Sequence, residues 1–146
     1  MARWFTLCWF AVFAMACSDG APVAWNAAEM SALSEQFAHI AEAYAVVDVC
    51  MPMIAADKDA KHEVISKIEV RQFTQLSQMD TEAELAKFIA HHRKRAGSDE
   101  QVATLERIYR ESHQAAARLL TSIDGCVATV SDFANTILNT KVRSAP

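Results

Sequence analysis

Two stretches of this chain keep apolar residues in step over many turns, and that regularity limits the fold more than anything else in the sequence. In the first, Met30, Leu33, Phe37, Ile40, Tyr44, Val47 and Met51 recur at alternating steps of three and four, the spacing of a seam along one helix face. Asn26 and Glu29 stand at the spacing of a capping box, so a helix is expected from about Ala27 to Met51. Pro52 is expected to end it, because the residue before a proline is pushed out of the α region. In the second stretch, Val102, Leu105, Tyr109, Ser112, Ala116, Leu119, Ile123, Cys126, Val130, Phe133 and Ile137 hold the same alternation. Ser98 and Gln101 form a box at its start. Gly125 interrupts helix propensity without changing the phase, so one long helix with a kink at Asp124-Gly125 is expected.

Between the seams the pattern is looser. Val64, Ile65, Ile68, Phe73, Leu76 and Met79 suggest a helix over about Lys61 to Met79. Thr81 and Glu84 have capping-box spacing and open a shorter helix to Ala96, with Leu85, Phe88 and Ile89 on its apolar face. Arg93, Lys94 and Arg95 fall in its last turn, where cations complement the helix dipole, and Gly97 suits the position just past a helix end. No segment alternates with period two, so no strands are expected. The reading is an all-α fold: a small bundle of about four helices over 26–140, stapled by one disulfide, with a flexible tail at 141–146.

The first sixteen residues are of another kind. Arg3 is their one charge, and the apolar run from Trp4 to Ala16 falls short of the ~20 residues that cross a bilayer as a helix. It fits the apolar region of a secretory signal, with small residues at Ala14 and Ala16 marking a cleavage site. Ala14-Met15-Ala16-Cys17 resembles the lipobox of bacterial lipoproteins, although Leu is usual where Ala14 stands. The resemblance implies a lipid on Cys17 and a membrane anchor. Ser18 to Val23, with Gly20 and Pro22, reads as a tether within residues 17–25.

Cysteine parity agrees. Of four cysteines, Cys8 leaves with the signal. With Cys17 lipidated, Cys50 and Cys126 remain as an even pair in an oxidising compartment. A bond between them requires Cα atoms within ~7 Å. Asn26 to Cys50 (50 − 26) and Val102 to Cys126 (126 − 102) are both 24 residues, so the two long helices are expected to run parallel with their ends level; an antiparallel arrangement, with residues after Cys126 beside the first helix, is the alternative.

Charge and motif content narrow the function by exclusion. Loss of residues 1–16 removes only Arg3 and moves the net charge from −4 to −5, which makes a poor nucleic-acid binder and leaves membrane contact to the lipid. None of the five histidines, His39, His62, His91, His92 and His113, has Glu three residues before it, so a di-iron bundle site is rejected. His91-His92 followed by three cations reads as a solvated helix end, with His92 partly buried beside Phe88. Met51 and Met53 beside Cys50 match copper(I) on ligand type alone; the structural use of all three is preferred. No glycine-rich loop, nucleophile motif or paired-carboxylate constellation appears, and no enzymatic activity is expected.

Ala43 to Ala56 carries one charge, Asp48. A helix apolar on every side is either surrounded by other helices or offers a surface to a partner. Val46, Val49 and Ile54 lie off the seam and are the candidate partner-binding residues. The resulting expectation is an exported bacterial envelope lipoprotein on the periplasmic side of a membrane, acting as a non-enzymatic assembly or accessory factor through a protein partner. In size, anchor, helical content and single disulfide such a chain resembles the pilotin lipoproteins of secretion systems in architecture, without a shared motif. The alternative is a periplasmic haem b- or metal-binding bundle, with Met30 and His113 as axial ligands.

Overall fold

Helix α1 (Ala27–Ala56) forms the centre of the domain, and the other helices are arranged on its sides. The computed structural model describes residues 23–143; the expected signal segment, Cys17 and the last three residues lie outside them. After α1 come α2 (Lys58–Lys67), α3 (Val70–Ser77), α4 (Thr81–Arg93), α5 (Asp99–Ala117) and α6 (Ile123–Arg143). The described residues are all-α, with six helices instead of about four. By length and composition alone α1 is apolar enough to cross a membrane. In the fold its seam residues Leu33, Phe37, Ile40, Tyr44, Val47 and Met51 are buried, and so are Ala41, Ala43, Ala45, Cys50 and Ile54 on other sides.

The start of α1 forms as its sequence dictates. The Asn26 side chain accepts the Glu29 N–H at 3.0 Å, and the Glu29 carboxylate accepts the Asn26 N–H at 2.8 Å. The far end differs from expectation. Pro52 lies inside α1, and the helix continues to Ala56. The proline removes a backbone hydrogen bond, but Met51 and Ile54 are buried on either side of it, and their packing carries the helix one turn further. Asp57 then ends α1 and caps α2, its side chain accepting from the N–H groups of Asp59 and Ala60.

The single middle helix expected over Lys61 to Met79 is two. Val64 and Ile68 are buried, but so are Phe73 and Leu76, which are out of phase with them on a continuous helix. The chain resolves the conflict by breaking at Ile68-Glu69, where both residues are extended. The Gln72 side chain accepts the Glu69 N–H at 3.0 Å to start α3. At α4 the cap is Asp80, which accepts the Ala83 N–H, and not Thr81.

The largest difference concerns the second seam. Its residues divide between α5 and α6, which are separated by a turn over Arg118 to Ser122. Leu119, expected on the seam, is 83% exposed. Tyr44 meets Tyr109 (ring centroids 6.4 Å apart), and Asp48, four residues on, meets His113, also four residues on; α5 therefore runs parallel to α1. Cys50 bonds Cys126, while His39 shares a cleft with Ile137; α6 therefore runs back antiparallel. Ser122 caps the returning helix by accepting the Gly125 N–H at 3.1 Å, which places Gly125 in a first turn and not at a kink. The parallel register holds for α5, whereas Cys126 belongs to the antiparallel arm. α1 packs most extensively against α5 and next against α6.

Candidate functional site

The expected disulfide is present. Cys50 and Cys126 are bonded with Cα atoms 5.1 Å apart, and both are fully buried. Met53 Sδ lies 4.0 Å from Cys126 Sγ, so the sulfur cluster noted in the sequence is a covalent bond with a methionine packed beside it.

The three candidate partner-binding residues separate. Ile54 is buried completely, inside the core. Val49 is half-buried. Val46, also half-buried, lines an apolar cleft of about 180 Å³ between α1 and α6, with Ala43, Phe133 and Ile137. Phe133 is 53% exposed. The sequence placed it on the seam; in the fold Ala134 takes the inward position instead, and α6 turns its phenyl ring outward. His39 and Glu42 from α1 and Thr129 and Thr136 from α6 supply polar groups around this cleft.

A second concavity, about 530 Å³, lies between α4 and α5. α4 runs opposite to α1, with Thr81 at Asp48 and Phe88 at Phe37 (centroids 5.1 Å apart). Asp48, the one charge in the apolar stretch of α1, forms the meeting point at the groove floor. Its Oδ1 accepts the Thr81 hydroxyl from α4 at 2.7 Å, and its Oδ2 lies 2.8 Å from His113 Nε2 of α5. One carboxylate thus joins three helices. Burial, then the neighbouring Asp48 carboxylate, holds the Tyr109 phenol above its ordinary range and keeps it protonated. Leu85 and Ile89 form the apolar wall, with Glu82, Glu106 and Arg110 at the sides. The His113–Asp48 contact joins α5 to α1, as the Thr81–Asp48 bond joins α4 to it. Thr81 and Phe133 were missed as site residues, and His113 was considered only as a haem ligand. A lone Asp in an apolar helix was the one signal that could have found the joint.

His92 lies against Phe88 with ring centroids 4.5 Å apart, and its pKa is lowered by burial, then by His91 and Arg95. Among the described residues no group of three or more His, Cys, Asp or Glu is placed to hold a metal ion. Met30 stands in the first turn of α1 and His113 lies level with Asp48. At ~1.5 Å per residue that is ~27 Å along the helix, so these two cannot be the axial ligands of one haem.

At the other end of α1 the incoming chain is clamped. Trp25 is buried; its N–H donates to Gln101 Oε1 at 3.0 Å, and its carbonyl accepts from Gln101 Nε2 at 2.8 Å. The Val23 carbonyl accepts the Gly97 N–H at 2.8 Å. Residues 23–25 of the expected tether are therefore held against the α4–α5 turn. Compared with known proteins, the chain matches no family model, no curated protein and no solved structure.

Proposed function

We propose that the chain is an exported helical domain, anchored to the periplasmic side of a bacterial membrane by a lipid on Cys17, that binds a protein partner and catalyses no reaction of its own. Export and anchoring rest on residues 1–17 of the sequence. The interhelical disulfide supports them, because such bonds persist in oxidising compartments.

Partner binding rests on one observation: the cleft between α1 and α6 leaves Phe133 half in solvent beside Val46. An apolar centre with a polar rim, here Glu42, Thr129 and Thr136, is the composition of a protein interface. An aromatic at the edge of a small pocket is the kind of anchor that carries binding energy. The cleft, about 180 Å³, is sized for one or two apolar side chains of a partner.

Photo-cross-linking tests the reading. A benzophenone side chain at position 133, in the native host, should give one discrete adduct. The same group at Leu119, exposed at the α5–α6 turn, should not give it. Val46→Ser should abolish the adduct while the domain still melts in one cooperative transition. Equal labelling from both positions, or none from 133, would overturn the assignment. Intact mass reads the anchor separately: the mature protein should begin at a diacylglyceryl-modified Cys17.

A further inference from the structure

The chain enters the bundle at a fixed place, the α4–α5 turn, where Gly97 holds Val23 and Gln101 holds Trp25. The same turn carries Arg93, Lys94 and Arg95, all exposed. Arg95 is two residues from Gly97, so at most ~7 Å of chain separates them. Arg93 is paired with Asp99. Among the described residues no ion pair involves Lys94 or Arg95. The nearby carboxylates are mostly engaged: Asp99 with Arg93, and Glu29 with the Asn26 N–H. Glu100 is the remaining one in the first turn of α5. This end therefore presents two uncommitted cations on a chain whose net charge is −4.

We propose that the α4–α5 turn is the membrane-facing surface of the domain, with Lys94 and Arg95 meeting the phosphates of anionic lipid headgroups. The proposal rests on the lipid at Cys17. From Cys17 to Val23 the extended chain spans at most ~20 Å, so an anchored domain keeps this turn beside the bilayer. Two cations are too few to recruit an acidic protein on their own. With the anchor supplying proximity, they decide which side faces the anionic surface. The Lys and Arg stems can reach past the turn to the headgroups while the rest of the domain, more acidic, is repelled from them.

Trp25 reports the orientation. With residues 1–16 removed it is the sole tryptophan of the three in the sequence, and it is buried against this turn. The mature protein, purified in detergent from its native host, is reconstituted into phosphatidylcholine vesicles with or without phosphatidylglycerol, both containing a headgroup spin-labelled lipid. Quenching of Trp25 should rise by about two-fold with phosphatidylglycerol and lose that gain at high salt, where screening shortens the reach of surface charge. Lys94→Glu/Arg95→Glu should lose the gain at unchanged melting temperature, and Lys94→Arg/Arg95→Lys should keep it. Quenching indifferent to lipid charge and to these variants, on a sample whose intact mass shows lipidated Cys17, overturns this proposal alone. An unmodified Cys17 overturns it together with the anchor.

Discussion

The Trp25 indole occupies the space where a side chain on Gly97 would be. A methyl group at Gly97 would sit 2.4 Å from the ring, and the backbone there has φ of +120°. Two independent constraints, steric and conformational, thus require glycine at this one position. Gly97→Ala is expected to destabilise the domain by about 1–3 kcal/mol, since it forces a left-handed conformation on alanine as well as displacing the indole. Thermal melting followed by Trp25 fluorescence checks it; an unchanged melting temperature would contradict the packing described.

The Cys50–Cys126 bond spans 76 residues of sequence. Closing a loop of that size stabilises by about 4 kcal/mol through restriction of the unfolded chain, in the entropic account. Cys126→Ala should lower stability by an amount of that order in denaturant titration. Thiol labelling of the unfolded, unreduced wild-type domain should detect neither cysteine.

Asp48 answers two donors from different helices, so its loss should exceed the loss of either partner. Thr81→Val removes one hydrogen bond and is expected to cost about 1 kcal/mol. Asp48→Ala leaves both Thr81 and His113 without their acceptor and should cost more. In a double-mutant cycle, adding Thr81→Val to Asp48→Ala should have little further effect. Additive losses would show that the hydroxyl is held by something else.

His92 makes stability depend on pH. Burial, then the charges of His91 and Arg95, lowers its pKa from the ordinary 6.5. The folded chain therefore takes up the proton less readily than the unfolded chain. Its contribution is fully present above about pH 6.5 and is lost as pH falls from there through the lower folded value. His92→Gln should flatten the melting temperature on the acid side of about pH 6.5, relative to wild type. A parallel acid slope in the variant would place the titration elsewhere.

The helices were legible where local chemistry and packing agree. The boxes at Asn26–Glu29 and Ser98–Gln101 and the inward positions of Phe37, Ile40, Tyr44, Leu105 and Tyr109 follow from spacing alone. The turn at Arg118–Ser122 was not, because Ile123, Cys126 and Val130 resume the alternation of the preceding helix. Periodicity records phase and does not record direction. Only Ser122 before Ile123-Asp124, a cap residue followed by an acid, marked a new helix start. Phe133 and Ala134 are neighbours on adjoining faces, and which one points inward depends on how closely α6 lies against α1. Asp48 was visible as a lone acid in an apolar helix, but its partners Thr81 and His113 were out of reach for the same reason: they come from helices whose order in space no local pattern encodes. Pro52 was read by its local effect, which burial of Ile54 on its far side outweighs.

Cys50 and Cys126 close residues 50–126 into a covalent ring, and α1 and α6 leave that ring side by side as two arms pointing the same way. The α4–α5 turn lies inside the ring. A single protease nick after Lys94 or Arg95 would therefore leave two pieces still joined through sulfur, each keeping one of the two arms. On a non-reducing gel the nicked protein would migrate as one species, and only a reductant would release the halves.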